Sequence, residues 1–247
     1  MTTTHDTRQY NIQSYWGPRE ETPESIANRY IRTVEALARI DPVFTPWWYG
    51  GIEGKTIPFD QARTRLPALI AENAGEEWGP REGYPFFGAN SLDFNPRSIG
   101  LSGHAGSSLP PIGYGNSVDL GTVPADIQAT DASIVTYDLF RSAMLAIIDA
   151  WDVTWCASFP TDIMKFWPPV GSGHHFRLAW MTYVSPRFAS LIRPPRGIES
   201  QAVAGGGVLM VATRERFDVT NTGHMAAARA IDTAMAPLNA LPWPPDR

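Results

Sequence analysis

Residues 10–42 read YNIQSYWGPREETPESIANRYIRTVEALARIDP, and the order of signals within them decides the fold class. Tyr10, Ile12, Ser14 and Trp16 alternate with Asn11, Gln13 and Tyr15, the period of a strand with one face turned inward. Gly17-Pro18 ends that strand. Thr22 then has the character of an N-cap, Pro23 suits the first helical position, and Glu24 suits the positive end of the helix dipole. Ile26, Tyr30, Val34, Leu37 and Ala38 fall on one helical stripe. Asp41-Pro42 stops it, because a residue before proline avoids the helical region. Trp47-Trp48 follow as an aromatic anchor. A strand, a rigid turn, a helix and an anchor, with no nucleophile, metal box or phosphate loop among them, point to binding of another macromolecule rather than to catalysis.

Further along, a second, weaker helix is expected over Leu66–Asn73, stopped by Gly75. From Gly79 to Gly121 the chain is rich in Gly, Pro, Ser and Asn, with short strands expected over Ser98–His104 and Ser117–Val123. Tyr84, Phe86, Phe87, Leu92 and Phe94 are expected to be buried there, which argues against a linker. The clearest helix spans Ser133–Trp151, with Val135, Leu139, Ala143, Met144, Ile147, Ile148 and Trp151 at spacings of three and four. Strands are then expected over Val153–Phe159, Phe176–Val184, Ile198–Ala204 and Gly207–Thr213. Asn221 caps a last helix whose stripe is Met225, Ala228, Ile231, Met235 and Leu238, and Trp243 is expected to pin the tail. Adjacent strands with short gaps predict an α+β fold: an antiparallel or mixed sheet with about three main helices packed on it. The expectation is a single domain over residues 1–247, with a turn-rich, two-lobed insertion at about 75–125 allowed by the composition.

Hydrophobic residues make up 43% of the 247 and charged ones 18%, which supports a sizeable core and excludes a disordered chain. The net charge of −5 is unevenly spread. Residues 66–162 carry twelve acids against three bases, whereas 163–247 carry five against nine. An acidic middle argues against nucleic acid as its partner and suits a basic protein. The one cysteine, Cys156, lies in an apolar run and reads as a buried, reduced thiol. Residues 1–13 are polar, with no apolar core of a secretory signal, and no run suffices to span a bilayer, so a cytoplasmic protein is expected.

A search for chemistry yields no specific motif. His174-His175 are adjacent and would point to opposite faces of a strand, a poor arrangement for chelating one ion. No His/Cys spacing of a zinc site occurs. His104 lies in Ser-Gly-His-Ala-Gly, which lacks the central serine of a nucleophile elbow, and His224 reads as a structural group near a helix start. Gly205-Gly206-Gly207 precedes a strand, the wrong order for a phosphate cradle, and reads as a bulge or tight turn.

The motifs left over resemble the immunity protein 52 family of bacterial polymorphic toxin systems. They are Tyr15-Trp16-Gly17-Pro18-Arg19, the helix from Pro23 to Arg39, Ile40-Asp41-Pro42, Trp47-Trp48 and Gly54-Lys55. Near the other end they are Gly206–Thr213, Arg216-Phe217, Asn221, His224, Ala227-Ala228 and Leu241-Pro242-Trp243. Residues 75–175 carry none of them. The resemblance implies an α+β, non-enzymatic immunity protein encoded beside a secreted toxin, with type VI secretion as a delivery route. It implies a toxin of the restriction-endonuclease-like nuclease class, bound and neutralised in the cytoplasm without a cofactor, a metal, nucleic acid or a membrane. An acidic surface would mimic the phosphates such a nuclease grips and steer association. The candidate toxin-binding residues are Glu72, Glu76, Glu77, Trp78 and Glu82, where acids flank a tryptophan. Exposed aromatics would also support a homodimer. Two other readings stay open: a hydrolase with a cleft lined by His174 and His175, and a structural part of a secretion apparatus.

Overall fold

A computed structural model describes residues 9–50, 56–74, 81–109, 115–124, 129–169 and 176–241. Its strands are β1 (Tyr10–Trp16), β2 (Trp48–Gly50), β3 (Thr56–Pro58), β4 (Tyr84–Ala89) and β5 (Ile99–Ala105). They continue with β6 (Asn116–Thr122), β7 (Trp155–Pro160), β8 (Met181–Val184), β9 (Glu199–Ala202) and β10 (Val208–Val211). All ten join one sheet in the order β3-β2-β4-β5-β6-β1-β7-β8-β10-β9. Every neighbouring pair is antiparallel. The α+β class therefore holds, and the sheet is purely antiparallel.

The helices are α1 (Pro23–Ile40), α2 (Phe59–Ala62), α3 (Leu66–Ala74), α4 (Tyr137–Trp151), α5 (Pro186–Ala189), α6 (Thr222–Ala234) and α7 (Ala236–Asn239). Seven helices among the described residues correct the expectation of about three. The reason is length: α2, α5 and α7 have four residues each, barely one turn, and so carry no periodic signal. Among the described residues no helix is long and apolar enough to cross a membrane.

The opening stretch folds as its pattern dictates. Tyr10, Ile12, Ser14 and Trp16 are buried, and the residues between them are partly exposed. Thr22 accepts a hydrogen bond from Ser25 N, and Ile26, Tyr30, Val34 and Leu37 turn into the core while Ala38 faces solvent. α1 packs between α3 and α4, on the sheet face that carries Tyr10 and Trp16. Trp16 stacks on Trp151 of α4 at 5.5 Å, and Tyr10 meets Phe140 edge-on at 6.1 Å. Each fully buried apolar side chain of this layer contributes about 1.5–3 kcal/mol.

The Trp-Gly-Pro-Arg turn is a clamp on the last turn of α4. Arg19 lies over the Trp16 ring at 5.1 Å and donates to Trp151 O at 2.9 Å. Arg29 and Arg32 of α1 donate to Ala150 O at 2.9 and 2.8 Å. Three guanidinium groups thus satisfy carbonyls left open at the negative end of a helix. Glu21 binds Arg29 at 2.6 Å and Arg19 at 3.2 Å, balancing the charge.

Beyond β7 the structure departs from the sequence reading. Only Met181–Val184 of the expected strand 176–184 pairs in the sheet. Phe176 meets Trp155 at 6.1 Å, while Trp167 meets Phe159 at 4.8 Å and donates to Leu178 O. These residues cover the second face of β7, which is buried along its whole length, Cys156 included. Burial pushes the Cys156 thiol well up, so it stays protonated and inert. Gly205 and Gly206, with φ of 89° and 98°, make the hairpin turn between β9 and β10, as a tight turn requires.

Candidate functional site

The first half of the sheet has a second face, turned away from α1, α3 and α4. Register places its residues in two cross-strand rows. One runs Asn11, Gly121, Gly100, Ala89, Trp48. The next runs Gln13, Asp119, Ser102, Phe87, Gly50. In β5 and β6 the inward residues Ile99, Leu101, Val118 and Leu120 are apolar, and the outward ones between them are small or polar. Because Gly100 and Gly121 carry no side chain, the sheet surface there sinks between Trp48, Phe87 and Val123 into a trough of about 660 Å³.

A rim closes one side. The loop from Asn90 to Ser98 is tied down by Asn90, which donates to Val43 O (2.7 Å) and Arg97 O (2.9 Å) and accepts from Ile99 N (2.7 Å). Asn95 donates to the Ser91 hydroxyl, and Arg97 pairs with Asp131 at 2.7 Å. This fixed loop carries Leu92 and Phe94 into the trough wall, Phe94 from a left-handed backbone with φ 47°, which costs energy for an aromatic residue. The expected burial of Phe87, Leu92 and Phe94 is therefore corrected: they are 46%, 44% and 52% exposed. Phe86 points into the helix layer and is buried, as expected, while Tyr84 is half-buried. Alternation forces the split between Phe86 and Phe87, since successive strand residues face opposite sides. Trp47 and Trp48 divide in the same way. Trp47 is buried and donates to the Tyr30 hydroxyl at 2.9 Å, and Trp48 lines the trough.

Asp119 is the charged group of the floor. Its Oδ1 is shut off from solvent and has no hydrogen-bond partner among the described residues. Burial alone pushes its carboxyl up from 3.8 to about 7. Next to it, Asn11 donates Nδ2 to the Thr161 hydroxyl at 3.0 Å. That hydroxyl gives its own proton to Gln9 O, so the Asn11 amide is oriented with its carbonyl oxygen over Gly121. The floor thus presents acceptors.

Of the residues singled out from the sequence, the described ones lie elsewhere. Glu72 is exposed near the end of α3, Glu82 is half-buried just ahead of β4, and neither lines the trough. Glu76, Glu77 and Trp78 fall outside the described residues, as do His174, His175 and Trp243. His104 is buried on β5, and burial lowers its pKa. His224 accepts from Asp218 N at 3.1 Å and contacts Glu215 at 3.2 Å, a structural role at the start of α6. Among the described residues no group of three or more His, Cys, Asp or Glu could hold a metal ion. Sequence reading missed Asp119, Gly100 and Gly121. The signal was present: glycines inside two strands weaken them and often mark close approach by another molecule.

Comparison with known proteins agrees with this architecture. No curated protein sequence matches the chain. Among solved structures, the Pseudomonas aeruginosa T6SS protein PA0821 aligns with a TM-score of 0.50 and 12% identity, covering 94% of this chain and 72% of its own. At that identity the likeness speaks for the fold alone. The family model of immunity protein 52 matches residues 8–239, from the first strand through the last short helix, and the chain belongs to that family.

Proposed function

We propose that this protein binds a cognate secreted bacterial toxin, a nuclease-type effector, and neutralises it in the cytoplasm of the producing cell. The observation that carries the reading is the family match over residues 8–239. Two features of the chain support it. Twelve acids against three bases in residues 66–162 suit a partner whose own site is basic for gripping phosphate. A rigid rim that holds Leu92 and Phe94 out to solvent suits a protein-binding surface, where aromatic anchors dominate the energy. A stable inhibitory contact would bury about 1,600 Å² in all. In this reading Glu72, Glu76, Glu77, Trp78 and Glu82 form an acidic part of the contact, and no cofactor is required.

The test is co-expression with the toxin-like product of the neighbouring gene, followed by pull-down and a survival assay. Rescue together with a stoichiometric complex is expected. Rescue without any complex would refute neutralisation by direct binding. Reversing Glu76 and Glu77 to Lys should weaken the complex and flatten its salt dependence; unchanged affinity would remove the acidic patch from the interface.

A further inference from the structure

We propose that the trough on the open sheet face is the socket for an arginine- or lysine-bearing surface loop of the toxin, with the cationic head on Asp119 and its stem against Phe87, Leu92 and Phe94. The inference rests on the toxin-binding reading and deepens it by naming what is bound and where.

Three independent observations converge. First, the floor is built to accept. Asp119 is partly exposed on the trough floor, its inner oxygen Oδ1 has no partner among the described residues, and the Asn11 carbonyl beside it is turned to the same row as Gly121. A guanidinium or ammonium head has several donors, no acceptor and a charge opposite to the carboxylate, so it complements such a floor better than a neutral hydroxyl and where a carboxylate would not. A carboxylate whose inner oxygen is unpaired costs free energy, and a cation seated on its accessible side returns part of it. Second, the walls are apolar and exposed. Of the six large hydrophobics exposed among the described residues, three, Phe87, Leu92 and Phe94, surround this one depression. Aromatic faces beside a carboxylate suit an alkyl stem ending in a cation. Third, the site is preformed. Phe94 is held in a left-handed conformation by a loop whose polar groups bond one another, so little ordering is left for the moment of binding. The volume of about 660 Å³ exceeds one side chain and matches a short loop that carries it.

The test uses the whole chain and the toxin-like protein encoded beside it. Gly100→Leu fills the trough, and the position tolerates a side chain: a Cβ there would sit 3.5 Å from Val123, an ordinary contact. Binding should weaken at least 100-fold and protection should fail, with an unchanged melting curve. Asp119→Asn keeps the shape and removes the charge, and should weaken binding about 10- to 100-fold. A second readout separates charge from shape. At pH 6 a cation seated on Asp119 expels its proton, so calorimetry in buffers of different ionisation enthalpy should register close to one proton released with the natural protein and none with Asp119→Asn. The neighbouring Tyr15 and Cys156 do not blur this, because burial holds both neutral. Natural affinity and protection by Gly100→Leu would overturn the socket and leave the immunity reading intact. A natural protein that neither binds nor protects would overturn both. A dimer of the natural protein that Gly100→Leu dissociates would assign the trough to a second copy and overturn the toxin loop.

Discussion

Asp119 makes the free protein less stable than it need be, and the size of that penalty follows from its site. Well below its unfolded value of 3.8, at about pH 2, the carboxyl is protonated in both the folded and the unfolded chain and costs nothing. Above its unfolded value of 3.8 the unfolded chain releases the proton, whereas the folded chain keeps it until about pH 7. Stability therefore falls as pH rises through that window, the opposite of a salt-bridged carboxylate. The gap between 3.8 and about 7 converts to about 4 kcal/mol at pH 8, about 1.5 kcal/mol at pH 5 and about 0.5 kcal/mol at pH 4. Water entering the trough reduces the first figure, so a gain of about 2–4 kcal/mol is expected for Asp119→Asn at pH 8. Urea unfolding followed by tryptophan fluorescence, at each pH from 4 to 8, measures it. His104 titrates in both proteins and cancels in the difference. The expected result is a variant that gains on the natural protein steadily from pH 4 to 7 and then levels off. Two parallel stability curves, or a variant less stable at pH 8, would refute the assignment of Asp119 as a buried, unpaired carboxyl.

Two further outcomes test the packing. Gly103→Ala should destabilise the fold by about 3 kcal/mol in thermal or denaturant unfolding, because its Cβ would lie 2.3 Å from the buried Phe86 ring and 2.7 Å from Ser117 O. Phe86 cannot give way easily, since it stacks on Trp151 at 5.1 Å. Asn221→Ala should cost about 1 kcal/mol of stability, since its side chain accepts from both Gly223 N and His224 N at the start of α6; urea unfolding measures it.

The trough and the acidic stretch are separate features with separate contributions. Exposed acids set the rate and the salt dependence of encounter, whereas a buried charge in a shaped site sets the lifetime of the complex. A toxin contact using both would be steered by one and held by the other.

Much of the fold was legible because its signals are local. The alternation of Tyr10, Ile12, Ser14 and Trp16, the Thr22-Pro23 helix start, the Asp41-Pro42 stop and the Asn221 cap each depend on residues within one or two turns of each other. One-turn helices escaped for the converse reason, as four residues cannot establish a period. The face of Phe87 and Phe94 was misjudged because aromatic residues are usually buried, and sequence does not say whether anything covers a given sheet face.

The sequence by itself determined the class of elements, their order, the buried stripe of each long helix and the acidic middle of the chain. Only the tertiary structure decided the trough. Asn11, Trp48, Phe87, Phe94, Gly100 and Asp119 come from separate parts of the chain and meet only through the register of five antiparallel strands. A slip of one residue of β6 against β1 and β5 would turn Asp119 into the helix layer and Leu120 out to solvent. That register is fixed by the burial of Ile99, Leu101, Val118 and Leu120 beneath α1 and α4, a property of the whole core rather than of any segment.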